Sequence, residues 1–512
     1  MSAHHRAIRR ALIESLALVA SVVATTAGIA PQTINVHAGD DLQRALDSAR
    51  PGTAILLEPG ATFVGNFVLP AKAGNDTQPI VVRTSGADMP AGQRISPDAA
   101  RMLAKLRTPN SSPALRTQPG ARFWRIELLE ISSAFDGGGE IVSLGDGSPA
   151  QRTLADVPSD LVVDRVYVHG VPGAQQRRGI GLNAARVTVS NSYVSEIKGA
   201  GYDTQALGGA NGPGDYVIEN NFFEASGENI MFGGADPHIP NLIPTHIVVR
   251  GNTFSKPVQW RNASWEIKNL FELKNARDVT IDGNVFERNW LAAQTGFSIL
   301  FTVRNQDGAC RWCDVSDVTF ENNILRDVAA GVEILGTDYT HPSAQTKGIT
   351  IRNNLMYGID PKKWGGNGYA FAIQGAPRDV TVDHNTIVQE NAQGILQVEG
   401  PQVIGFAFTN NLVQHSAYGI IGRDRAPGND SLNAYFPSAV VTANVIAGAD
   451  ASRYPSRNRY PSATDFSQQF ASYAHGDYRL SPGSAFRSAG TDGVDIGVLF
   501  GKLVRDPAAN PR

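Results

Sequence analysis

From residue 161 onward one pattern recurs: apolar, any, apolar, two polar or small residues, Asn, any, apolar. The rows VTIDGNVF, VTFENNIL, ITIRNNLM, VTVDHNTI, FAFTNNLV and AVVTANVI place Asn284, Asn323, Asn354, Asn385, Asn411 and Asn444, after Asn221 and Asn252. With Val166 and Ser192 as the equivalent positions of two less regular rows, successive spacings are 26, 29, 31, 32, 39, 31, 31, 26 and 33. A period near thirty residues is the mark of a repeat architecture, in which each unit buries its apolar face only against its neighbours.

Alternation of period two within each row predicts strands with one face inward. A second short apolar segment follows most Asn positions: GVEIL at 331–335, AFAIQ at 370–374, GILQV at 394–398 and GIIG at 419–422. Two or three strands per repeat fit one rung of a parallel β-solenoid, where the coil itself supplies the crossover that parallel strands need. The recurrent Asn then has a mechanical role: stacked at an inward turn, its amide bonds the next Asn and buried backbone groups. Leucine-rich repeats are shorter, propeller blades are nearer 40 residues, and helical repeats show a 3.6 period. The expectation is an all-β solenoid of about ten rungs, spanning 31–500, with 501–512 as a tail.

Open ends of such a coil need cover. Asp40 or Asp41 is placed to cap a helix with Leu42, Ala45, Leu46 and Ala49 on one face, a lid for the N-terminal end. Residues 81–120 read as a helical insertion, with Ser96-Pro97-Asp98 starting a helix that carries Met102, Leu103 and Leu106. The repeat fades beyond about 450, leaving a last strand near Tyr478 to Leu480. Arg6, Arg9 and Arg10 followed by the apolar run Leu16–Ala24 read as a secretory signal peptide over 1–27, cut after Ala27, which predicts a secreted or periplasmic protein.

A net charge of −3, from 45 basic and 48 acidic residues, gives no whole-chain bias toward nucleic acid or an anionic membrane. Once the signal is cut, no later run is long enough to span a bilayer, and a monomer is expected. Cys310 and Cys313 are too few for a disulfide framework, and one CxxC lacks the second ligand pair of a structural zinc site. The pair is read as a local loop staple or as having no role.

Residues that point outward from neighbouring rungs share one surface, about 5 Å apart from rung to rung. In LFELKN, Phe271 and Leu273 face inward, which leaves Glu272 and Lys274 outside. In GFSILFTVRNQ, Phe297, Ile299, Phe301 and Val303 form the inward set, with Thr302 and Arg304 outside; in GVEIL, Glu333 faces out. Glu272, Lys274, Arg304 and Glu333 are therefore the candidate catalytic cluster, with Gln374 and Gln397 continuing the stripe. The bland alternative is a pair of surface ion pairs of small energetic weight. Long loops in these rungs add Asp236, His238, Trp260, Trp265, Trp290, Trp312, Asp338, His341 and Trp364. Of these, Asp236, His238, Trp260, Trp265 and His341, with Gln374, are the substrate-binding candidates, because exposed indole faces suit sugar rings.

The chain resembles the right-handed, single-stranded parallel β-helix proteins of the pectate-lyase-like superfamily. The resemblance runs from INVHAGDDLQRALDSARPGTAILLEPGATFVGNFVLP through the Asn rows to YRLSPGSAFRSAGTDGVDIG, and is nearest in look to secreted bacterial alginate- and chondroitin-lyase-like members. It implies the fold directly and the reaction only weakly, since one fold hosts many chemistries. The implied function is a polysaccharide lyase that cleaves an acidic, uronic-acid glycan by β-elimination. Those lyases use a Lys and Arg pair with calcium held by Asn and Glu on adjacent rungs, and Lys274 with Arg304 is similar in type. Their paired Glu-x-Glu ahead of Lys-Ser is missing, since only FELKN stands here, so calcium is a candidate cofactor and the metal ligands are unassigned. A non-catalytic glycan-binding or cell-surface β-helix is the alternative, as is an inverting glycoside hydrolase that uses Glu272 and Glu333. Asp383-His384, which echoes the Asp-His of pectate lyases, reads as a turn of the repeat.

Overall fold

The alternating rows do form strands, and from Asn221 onward successive rungs close through an asparagine. In the computed structural model, which describes residues 32–74 and 77–503, nearly all strand pairings are parallel, between one rung and the next. Two sheets account for the coil. One has 25 hydrogen-bonded strands and carries the Asn rows; the other has twelve, from Phe67–Leu69 to Ile420–Gly422. Twelve strands exceed the ten or so rungs expected, because the irregular segments before residue 160 also wind into rungs.

The ladder explains the repeat atom by atom. Asn252 Oδ1 accepts the backbone N–H of Asn221 at 2.8 Å and its Nδ2 at 3.0 Å. Asn252 Nδ2 in turn donates to Ile218 O and to Asn284 Oδ1, at 2.8 and 3.0 Å. Each asparagine thus satisfies backbone groups that the turn would leave buried and unpaired. The chain of contacts begins at Ser192, whose Oγ takes the N–H of Val166, and runs to Asn458, whose Oδ1 takes the N–H and Nδ2 of Asn444. Asn458 escaped the pattern because its row lacks the apolar flanks.

The residue before most ladder positions sits in the left-handed region: Asn220, Asn322, Asn353, His384 and Asn410 all have φ between 53° and 55°, and Ala443 has 56°. Gly, Asn and a few polar residues enter that region most cheaply, which suits the rows that read GN, NN or HN, whereas Ala443 enters it at a cost. His384 is therefore a turn residue, bonded to Asp383 Oδ2 at 2.8 Å.

Val279, Ile281, Phe286, Ile299, Phe301, Phe320, Val332 and Ile334 line one continuous core inside the coil. The helix Leu42–Ser48, capped by Asp41 on Arg44 N–H at 3.0 Å, adds Leu42, Ala45 and Leu46 to it at the N-terminal end. Residues 81–120 are less an insertion than expected. Lys105–Thr108 and Leu115–Thr117 are ordinary rung strands, and the excursion between them and Ile80–Thr84 holds only a single turn, Ala99–Met102. Met102 is exposed, while Leu103 packs with Ile95, Ala100 and Leu128 on the outside of the coil. At the other end, the chain folds back so that Phe466, Phe470, Tyr478, Phe486 and Ile496 cover Leu355, Val388, Leu412 and Val445. Strand Asp477–Leu480 pairs antiparallel with Phe470–Ser472. Among the described residues no helix is long and apolar enough to cross a membrane. The signal-peptide expectation falls on residues outside those described.

Candidate active site

The outer face of the twelve-strand sheet holds the candidate residues, because its register brings polar residues from alternate rungs into one column. Met231, Glu272, Leu300, Glu333, Ala372, Gln397 and Ile421 are consecutive partners down one column. Glu272 and Glu333 are thus two rungs apart, roughly 9.6 Å at the strand spacing. Leu335 and Gln374 pair in the neighbouring column with Thr302 and Glu399. The backbone N–H of Arg304 donates to Lys274 O at 2.9 Å, which seats that arginine one rung beyond the lysine.

Lys274 Nζ lies 3.6 Å from Glu272 Oε1, and Thr302 Oγ1 donates to the same oxygen at 3.1 Å. Asn269 Nδ2 donates to Glu272 Oε2 at 3.0 Å, so both oxygens of this buried carboxylate are occupied. Arg304 Nη1 donates to Asp338 Oδ1 at 3.0 Å, and Asp338 Oδ2 takes the N–H of Asn305 at 2.8 Å. One edge of the guanidinium is held by a buried carboxylate, and the side chain stays one-third exposed.

Glu228, one rung before Glu272, has no exposed surface. Its Oε2 takes Gln205 Nε2 at 2.8 Å, and Gln205 Oε1 receives Arg178, which is paired with Glu140 at 2.7 Å. Burial pushes the Glu228 carboxyl up to about 7, with the negative charges of Glu272 and Asp203 adding to the shift. Lys268 bonds Asp203 and stands 3.8 Å from Glu228 Oε1. Further along, burial also raises Glu333 to about 7, reinforced by Glu272 and Glu399. Gln374 Nε2 donates to Glu333 at 3.1 Å, and Tyr339 OH donates to Gln374 at 3.0 Å. Beyond Glu333 the same face opens into a cavity of about 490 Å³, floored by Tyr369 and Ile421 and rimmed by Gln397, Glu399, Arg423 and Arg425.

Residues 178–413 match the family described as the right handed beta helix region. The coil is a right-handed parallel β-helix. The PL6 family alginate lyase AlyGC superposes with a TM-score of 0.54 at 17% identity, over 93% of this chain and 60% of that one. A mannuronic acid specific family 6 polysaccharide lyase from human gut microbiota gives 0.50 at 14%, over 84% and 91%. The catalytic unit of a GH87 alpha-1,3-glucanase from Streptomyces thermodiastaticus strain HF3-3 gives 0.50 at 16%, over 83% and 71%. The chain therefore spans about 60% of the length of the first of these relatives. No curated protein matches the sequence significantly.

Of the four residues singled out for catalysis, Glu272 and Glu333 share one column of the sheet, and Lys274 and Arg304 follow the ends of strands Phe271–Leu273 and Phe297–Thr302, joined through the backbone; several binding candidates lie elsewhere. Trp260, Trp290 and Trp364 are buried together with Ile267 and Ala329, and Trp265 packs against them, so these indoles anchor loops. Lys198 Nζ sits 5.8 and 5.7 Å from the rings of Trp260 and Trp265, which leaves no open stacking face between them. Asp236 Oδ2 accepts the N–H groups of Asp307 and Ala309, a loop brace. His341 contacts Asn305 O through Nδ1 at 3.0 Å. His238 is exposed on the loop after Gly234, and Gln374 lies in the column beside Glu333. Trp312 donates to Leu242 O. Phe297, expected inside, packs instead with Leu300, Ala330, Tyr369 and Ala372 on the outer face. Cys310 and Cys313 are disulfide-bonded and buried, a local staple.

Sequence reasoning passed over Glu228, Lys268, Asn269 and the groove residues Tyr369, Arg423 and Arg425. Glu228 opens the strand ENIMF, which lacks the apolar–polar alternation that marks an outward position and is buried along its whole length; its register with Gln205 brings it to the site. Among the described residues no three His, Cys, Asp or Glu side chains gather as ligands, Glu272 already has both oxygens occupied, and Glu272 and Glu228 each have a lysine within 4 Å, a charge arrangement that suits calcium poorly.

Proposed function

We propose that the protein is a secreted or periplasmic polysaccharide lyase that cleaves an acidic glycan by β-elimination on this face. The observation that carries the reading is the adjacency of Lys274 and Arg304 on consecutive rungs, each oriented by its own carboxylate. Arg304, with one edge fixed by Asp338, offers the other to the sugar carboxylate and draws charge from it as the neighbouring carbon is deprotonated. Lys274, in its neutral form, takes that proton and passes it to the departing glycosidic oxygen as the carbon–oxygen bond breaks and a carbon–carbon double bond forms. Glu272, 3.6 Å from Nζ, balances the ammonium while it carries the proton. The groove of Tyr369, Gln397, Arg423 and Arg425 holds the polymer further along the coil. These steps use only side chains of the chain itself.

Purified protein offered alginate, pectin and glycosaminoglycans should generate the ultraviolet absorbance of unsaturated uronates with one of them. A rise that persists unchanged in Lys274→Ala would remove the assignment of the base.

An inverting hydrolase is the second reading. It is favoured by Glu333, a carboxyl held up near neutrality in the same column as Glu272. The inverting separation of about 6.5–9.5 Å is within reach of side chains two rungs apart. New reducing ends without unsaturated products would select it.

A further inference from the structure

Two acceptor oxygens in the site are buried without a donor: Glu228 Oε1 and Asn269 Oδ1. Both residues have no exposed surface, and they occupy adjacent rungs, each two positions before the paired Ile230 and Phe271. Two buried acceptors left unpaired at register-matched positions of neighbouring rungs are costly, each by the full loss of its hydration. One added hydrogen satisfies both.

We propose that Glu228 carries a proton on Oε1 and donates it to Asn269 Oδ1, making Glu228 a positioning residue of the elimination site inferred above. Gln205 already fills Glu228 Oε2 as a donor, so Oε1 is the oxygen left to hold hydrogen. With its oxygen engaged by that proton, the Asn269 amide must turn Nδ2 toward Glu272 Oε2, as observed at 3.0 Å. Glu272 is then kept as an acceptor, free to face Lys274. The proton on Glu228 thus sets the geometry of the lysine through two intervening side chains.

The surroundings favour the neutral acid. Glu272 and Asp203 bring negative charge, Lys268 and Lys274 bring positive charge without reaching hydrogen-bond distance of Oε1, and Lys256 adds a more distant positive charge. Full burial outweighs the three cations and drives the carboxyl up to about 7. Above that pH the ionised Glu228 attracts the amide hydrogens of Asn269, the amide reverses, and Glu272 loses its donor. The alkaline limb of activity is built into this turn.

Glu228→Gln tests the idea, since its amide N–H replaces the acid O–H toward Asn269. The wild-type-minus-variant difference infrared spectrum at about pH 6, below the raised value, should hold a deuterium-sensitive carboxylic-acid band beyond that of Glu333, which both proteins keep. A folded variant whose difference spectrum lacks that band overturns the proposal. The stability profile is a second measurement that needs no substrate. A carboxyl raised in the folded state holds its proton where the unfolded chain has lost it, so stability declines as pH rises from about 4.3 to about 7. Glu228→Gln should remove that share of the decline, and an unchanged slope overturns the assignment. Terbium luminescence saturating on the wild type and lost in Glu228→Gln would put a metal between the two oxygens and also overturn it. If no glycan is turned over, the elimination reading fails while the infrared and stability results still decide the proton. With turnover, Glu228→Gln should shift the alkaline limb upward, and Glu228→Ala should lower kcat about tenfold or more by freeing the amide.

Discussion

Lys274 and Arg304 are joined by a backbone hydrogen bond of 2.9 Å, so two cations far apart in the chain are brought to neighbouring rungs. Each is held by a carboxylate, Glu272 at 3.6 Å and Asp338 at 3.0 Å, and the two holds differ in kind. Asp338 is buried and fixes an edge of a planar group. Glu272 sits under a point charge that stays free to turn.

That difference sets the first expected outcome. On the glycan that gives unsaturated product, Lys274→Ala should lower kcat by about 10²–10⁴, as for loss of a proton-transferring group. Asp338→Asn should act mainly through the aim of Arg304, raising KM more than it lowers kcat. Steady-state kinetics of both variants separate the two roles.

The groove is checked by binding. Arg423→Ala and Tyr369→Ala should weaken binding of an acidic oligosaccharide by about 1 kcal/mol or more each, with the arginine effect shrinking as salt is raised. Calorimetry at two ionic strengths reads this directly, and an unchanged affinity in both variants would remove the groove from the substrate path.

Glu333 makes the pH dependence predictable. Burial raises its folded value to about 7, above the unfolded value of about 4.3. Below about 4.3 both states are protonated. Between the two values only the folded chain holds the proton, so the stability contributed by neutral Glu333 is lost as pH climbs to about 7. Thermal midpoints of Glu333→Gln across this window should fall less steeply than those of the wild type.

The ladder predicts stability rather than activity. Asn323→Ala removes donors to Ile281 O and Asn354 Oδ1 and the acceptor for Asn284, all buried. At about 1–3 kcal/mol for each group left unsatisfied, a loss of several kcal/mol is expected in urea unfolding. Half-buried Asn66, which bonds Asn110 in a surface loop, should cost less on the same change.

The disulfide closes a short loop, so its loop-entropy worth is about 2 kcal/mol. Cys310→Ser with Cys313→Ser should lower the thermal midpoint by a few degrees and make it insensitive to reductant.

Much of the candidate site could be read from residue order alone, because outward positions in a strand alternate strictly and one rung follows the next. Glu272, Lys274, Arg304 and Glu333 followed from LFELKN, GFSILFTVRNQ and GVEIL by counting, and Glu272 and Glu333 fall in one column with Lys274 and Arg304 on the rungs beside them. Counting failed where loops decide. Nothing in the order of residues says that Trp260, Trp290 and Trp364 turn toward one another rather than toward solvent, since that depends on how three separate excursions fold over the coil. It failed again at Glu228, where the run ENIMF shows no alternation to mark the residue and the structure buries it completely.

The chain's own order of residues determined the winding. A repeated asparagine, preceded by a residue able to take positive φ and flanked by alternating apolar side chains, has few other ways to satisfy its backbone. Tertiary structure alone decided which outward groups are covered, which carboxyls lose their water and rise toward neutrality, and which lysine meets which acid. Those outcomes depend on side chains from different rungs and loops meeting within a few ångströms, a distance that no local pattern encodes.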